Sequence, residues 1–92
     1  MELRQVDSKA FDAHIAAGGG GFAIMGKEGD VKSIWDPTSE DEVEIAEKQF
    51  NDMKAKGYTA FKVDDKGAQT TKMTKFDPKA GKVIFTKPVV GG

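Results

Sequence analysis

The 92-residue chain has room for one domain and one small core. A charged fraction of 32% beside a hydrophobic fraction of 38% excludes a disordered tail, and a net charge of −1 gives no general pull toward nucleic acid or anionic membrane. The absence of cysteine excludes disulfides, thiolate metal sites and a thiol nucleophile, and apolar runs such as Phe22–Met25 are far too short to span a bilayer.

Leu3 to Val6 reads as a short extended piece. Asp7 and Ser8 then supply capping oxygens for a helix whose narrow apolar face is Ala10, Phe11, His14 and Ile15. Gly18 is placed to end it in the left-handed region. The glycine run 18–21 is expected to act as a helix stop and flexible joint. Phe22–Met25 and Val31–Trp35 read as a hairpin around a turn at 26–30, with Phe22 and Ile24 on one face.

Ser39, with Glu42 three residues on, forms a capping-box pattern that opens the strongest element in the sequence. Asp41, Glu42 and Glu44 suit the positive end of a helix dipole, and Val43, Ala46, Phe50 and Met53 form a helical stripe widened by Ile45. The spacing predicts a helix over about 39–56, stopped at Gly57. Strands follow at 58–63, with Thr59, Phe61 and Val63 on one face, then at 70–76 and 82–86. Turns are expected at 64–67 and 77–81. Trp35 and Tyr58 are expected to pack in the core between sheet and helix, with their polar atoms at its rim.

No internal repeat or linker divides the sequence, so 1–92 reads as a single α+β domain: a mixed sheet of four or five strands packed on one long helix, with a short N-terminal strand-and-helix preface and an extended tail over 87–92. No basic-then-apolar stretch opens it, and a cytoplasmic location is expected.

Catalytic and metal constellations do not emerge from the residue types. The segment from Gly21 to Lys27 has the spacing of a phosphate-binding loop, but Glu28 stands where a magnesium-binding hydroxyl is required, and the four intervening residues are strand-type hydrophobes. His14 is the single histidine, with no hydroxyl–carboxylate set near it in sequence. Residues 64–67 lack the alternating ligands of a calcium loop. The expectation is a non-enzymatic protein without cofactor or metal.

Charge is segregated. Residues 1–53 carry 12 acids and 5 bases, whereas residues 54–92 carry 9 lysines and 3 acids. One reading has the two halves attracting each other on the surface; another has a basic sheet face waiting for an acidic partner. Nucleic acid fits less well, because Arg4 is the sole arginine and lysine lacks its bidentate match to bases.

The sharpest feature is the ending Pro88-Val89-Val90-Gly91-Gly92, directly after a strand. Two residues without side chains can thread a narrow channel and bring a terminal carboxylate to an activating phosphate. The order hairpin–helix–strands from Phe22 to Thr86, followed by this tail, resembles the ubiquitin-like β-grasp proteins, including the small sulfur carrier of molybdopterin synthase. Lys87 stands where those carriers commonly have a first proline.

The resemblance implies a β-grasp-like sheet and an E1-like, ATP-dependent adenylating enzyme as partner. Gly92 and Gly91 would be the acyl, thiocarboxylate or conjugation site, and Lys87, Pro88, Val89 and Val90 the tail that docks. The adenylated carboxylate would then pass to a partner's cysteine, to sulfur, or to a lysine amine, and an apolar or basic patch on the sheet would dock the activating enzyme. The competing reading is a small protein-interaction or structural module, such as a bacterial or phage accessory protein, whose tail is chemically idle.

Overall fold

The computed structural model describes residues 3–26, 29–63 and 70–87. The turn expected at 64–67 and the tail residues 88–92 lie outside them. The elements run β1 (Arg4–Gln5), α1 (Ser8–Ala16), β2 (Gly20–Gly26), β3 (Gly29–Trp35), α2 (Glu40–Ala55), β4 (Thr59–Val63), β5 (Thr70–Met73) and β6 (Lys82–Thr86). This is a mixed α+β arrangement.

All six strands join one sheet in the order β1-β3-β2-β6-β4-β5. Neighbours are antiparallel except β2 and β6, which run parallel at the centre with Phe22 beside Val83 and Ile24 beside Phe85. The sheet is therefore wider than the four or five strands the sequence suggests, because β1 adds to the edge of β3 through Arg4 opposite Ile34 and Gln5 opposite Ser33.

Among the described residues two helices flank it, the long one and the short one of the preface, on opposite faces. Helix α2 lies on the face bearing Phe22, Trp35, Ala60, Val83 and Phe85, burying Ala46, Phe50 and Met53 against them. Strand alternation sends Ala23 and Ile34 to the opposite face, where Phe11 of α1 is buried over them with Val6, Ile15 and Ile84 alongside. The preface is thus a second, smaller core on the back of the sheet.

Both helices start on the residues the sequence marks and end alike. Asp7 accepts from the Ala10 amide at 2.8 Å, and the Ser39 hydroxyl accepts from the Glu42 amide at 3.3 Å. At the far ends, Gly18 and Gly57 both adopt φ of 95°. They close paired turns in which Gly19 N–H donates to His14 O and Tyr58 N–H donates to Met53 O. The capping box forms only in part. The Glu42 carboxylate accepts from the amide of Asp36 at 3.1 Å, while the Ser39 amide donates to the Asp36 carbonyl instead. The segment before the helix is an Asx turn at Asp36, whose folding back brings that amide within reach.

The glycine run is not a flexible joint. Gly20 and Gly21 belong to β2 and are buried, and a Cβ at either would collide, with the Trp35 indole at Gly20 and with the Phe11 ring at Gly21. Two consecutive residues without side chains let an aromatic ring settle on each face of the same strand. Trp35 is fully buried, and its Nε1–H donates to the carbonyl of half-buried Pro78 at 3.1 Å, which satisfies its polar atom. The sequence also extends the fifth strand through Phe76. The strand ends at Met73, and Phe76 turns inward to stack near Phe22, Trp35 and Phe50 with ring centroids 5.4–6.0 Å apart. Aromatic burial outweighs three more residues of edge pairing.

Candidate functional site

The tail delivers the carboxylate in the sequence reading, and Lys87 is the part of it that the structure describes. It is exposed, one residue beyond β6. Because β6 is parallel to β2 and Thr86 stands opposite Thr59, the chain leaves the sheet from a central strand, at the end where β2 finishes and β4 begins. Pro88, Val89, Val90, Gly91 and Gly92 lie outside the described residues.

The back of the sheet is covered unevenly. Among the described residues, helix α1 packs mainly on β2 and β3, with Ile84 of β6 beside Phe11. Register continues that face across β6, β4 and β5 in two rows. One row is Ala23–Ile84–Phe61–Lys72, and the other is Gly21–Lys82–Val63–Thr70. Ile84, Phe61 and Val63 are half-buried, while Lys72 is exposed. The Lys82 ammonium sits 5.9 Å from the Phe11 ring centroid, at the border between the covered and open halves. The open half is therefore an apolar strip flanked by lysines, of the kind a protein partner can cover.

A groove of about 460 Å³ opens on the other face, between α2 and the β1–β3–β2 edge. Leu3, Ile24, Val31, Ile45 and Met53 give it apolar walls, and Ser33, Lys48 and Asp52 line it as well. Among the described residues there is no group of three or more histidine or acidic side chains that could hold a metal ion, and no helix is long and apolar enough to cross a membrane.

His14 serves structure. Its Nε2 lies 2.8 Å from the Trp35 carbonyl, so that nitrogen carries the proton and donates, and the ring occupies the space beside Gly19. Asp36 is the neighbouring carboxylate. The Thr38 hydroxyl, at 2.6 Å, and then the Thr38 amide, at 2.8 Å, donate to its Oδ1 and hold its carboxyl below the ordinary carboxylate range. Burial opposes the effect, and the nearby His14 adds to it.

Among the described residues, the opposed charges of the two halves do not meet in side-chain pairs. Between described residues the one ion pair within 4 Å is Lys32–Asp30, at 3.2 Å, within β3. The sequence contains the signal for the open face in the alternation Phe61, Val63 and Ile84, but which residues share a row depends on register. No protein-family model, curated protein or solved structure matches this chain.

Proposed function

We propose that this protein is a non-enzymatic, ubiquitin-like or sulfur-carrier-like protein that acts in the cytoplasm and whose Gly92 carboxylate is activated by an E1-like adenylating enzyme. The observation that carries the reading is the topology. From β2 onward the order is β3-β2-β6-β4-β5, with the first and last of these strands parallel at the centre and α2 crossing one face between the hairpin and the rest. That arrangement supports a β-grasp assignment for residues 20–86, with β1 and α1 as additions to it.

The chemistry asks little of this chain. A carboxylate oxygen attacks the α-phosphorus of ATP and pyrophosphate leaves; the acyl adenylate then loses AMP to a thiol, a sulfide or an amine. The chain contributes a handle for docking and a narrow acyl donor. The open strip of Ile84, Phe61 and Val63 between Lys82 and Lys72 is the surface we assign to docking, and β6, the strand that carries Ile84, ends one residue before the exposed Lys87. The same strip also favours a second reading, in which the protein is an interaction module and the tail is idle.

The test uses an N-terminally tagged copy in the source cells, beside one lacking Gly91 and Gly92, examined by denaturing blot and intact mass. Tail-dependent species of higher mass support conjugation, and a mass gain equal to sulfur replacing one oxygen supports a carrier. Identical patterns from the two versions overturn the modifier and leave the interaction module.

A further inference from the structure

The two edges of the sheet are treated differently. On one side, β3 is partly covered by the chain's own β1, and Val6 N–H continues the contact by donating to Lys32 O at 3.0 Å. On the other side the sheet ends on β5, which pairs with β4 and, among the described residues, with no other strand. Thr70, Thr71 and Lys72 are exposed. An antiparallel edge strand directs alternate N–H and C=O groups outward, and these are a template for another strand. Among the described residues, a side chain reaches the far end of the strand. The Lys54 ammonium reaches from α2 and donates to the carbonyls of Met73 and Thr74 at 3.3 and 3.5 Å.

The charged side chains of β4, β5 and 74–76 are all lysines, and acids flank these stretches in sequence at Asp64, Asp65 and Asp77. Lys62, Lys72 and Lys75 are exposed, Lys54 crosses to the strand end, and no acidic side chain occurs in β4, in β5 or at 74–76. No carboxylate among the described residues lies within 4 Å of these four lysines.

Alternation puts Lys72 on the open face beside Phe61, and Lys62 on the α2 face opposite Thr71. An added strand therefore meets Lys72 directly on the open face, and on the α2 face it meets Thr71, with Lys62 one strand further in and Lys54 at the strand end. We infer that the outer edge of β5 is a strand-addition site for an acidic, extended segment of a partner protein.

The lysines also select against other occupants. A second copy of β5 carries no carboxylate, so its pairing would add cations to the edge and no opposite charge. Single-stranded nucleic acid would meet outward carbonyl oxygens and no aromatic platform on β5 itself. An acidic strand gains backbone hydrogen bonds and opposite charges together. The four residues of β5 span about 13 Å and match a segment of four to six residues. This inference does not depend on the fate of the tail.

The test titrates the full-length, ¹⁵N-labelled chain with the peptide acetyl-Glu-Val-Glu-Val-Glu-Val-amide. Three comparison probes are its lysine counterpart, a copy N-methylated on all internal peptide nitrogens, and oligothymidylate. The expected result is that amide signals of Thr70–Met73 shift and those directed outward become protected from exchange, while the lysine and N-methylated peptides leave them unchanged. Lys62→Glu with Lys72→Glu should weaken binding roughly threefold to tenfold, and Lys72→Gln less, with the spectrum of each free variant remaining that of a folded chain. Perturbation centred elsewhere, no perturbation, equal binding by the N-methylated peptide, or binding by the lysine peptide or oligothymidylate as tight as that of the acidic peptide would each overturn it.

Discussion

Gly20 stands opposite Trp35 across the β2–β3 ladder, and the indole fills the space that a side chain at position 20 would need. One residue further on, the Phe11 ring does the same over Gly21 on the other face. This pair of contacts joins the two cores through a single strand. Gly20→Ala should force the indole off its bond to the Pro78 carbonyl and cost about 1–3 kcal/mol, the usual range for overpacking. Urea unfolding followed by the fluorescence of Trp35, the sole tryptophan, measures it; an unchanged midpoint would show that the indole yields freely.

The back core should prove as rigid as the front one where α1 covers it, and softer where it does not. Phe11 is fully buried whereas Phe61 is only half-buried. Phe11→Ala is expected to cost about 3–5 kcal/mol and Phe61→Ala less than about 2 kcal/mol. Equal losses in equilibrium unfolding would mean that α1 does not hold its place against the sheet. The same Phe61 variant should lower tail-dependent conjugation or thiocarboxylate formation while the protein remains folded, because the open strip is the assigned docking surface.

Helix α2 depends on Ser39. Its hydroxyl accepts the Glu42 amide, and alanine leaves that donor without a side-chain partner. Ser39→Ala should cost about 1 kcal/mol, and Ser39→Asp, which restores an acceptor, should recover most of it. Chemical denaturation of the three proteins in parallel checks the order; an alanine variant as stable as the parent would show that the partly formed box carries no weight.

Asp36 gives a pH dependence with a definite sign. Thr38 donates twice to its carboxylate, so the carboxyl titrates lower in the folded chain than in the unfolded one. The contribution is complete above the unfolded value, near about 4, and is lost as pH falls through the lower folded value. Relative to Asp36→Asn, the parent protein should therefore lose stability below about pH 4, while the difference between the two stays constant from about pH 5 to 7. Unfolding midpoints of both proteins across that range test it, and a difference that is flat at all pH values would refute the coupling.

The sequence by itself determined the elements that local chemistry governs. Helix α2 lies between the serine and the glycine that mark its ends, β6 covers the predicted 82–86, and the Phe22 and Trp35 alternation points both to the α2 side, because capping and periodicity act within a few residues. The candidate tail was likewise legible as residue types, Gly91 and Gly92 after an apolar pair. What only the tertiary structure decided is adjacency. Nothing in the local pattern of β6 makes it parallel to β2 at the sheet centre, joins β1 to β3, or turns Phe76 out of its strand into the aromatic cluster. The glycine pair reads as flexibility in one dimension because its reason, a ring on each face, comes from residues 10 and 15 positions away in the chain. The row of Ile84, Phe61 and Lys72 and the place of β5 at the edge of the described sheet follow from register and strand order, which are set by the burial of two opposed faces at once.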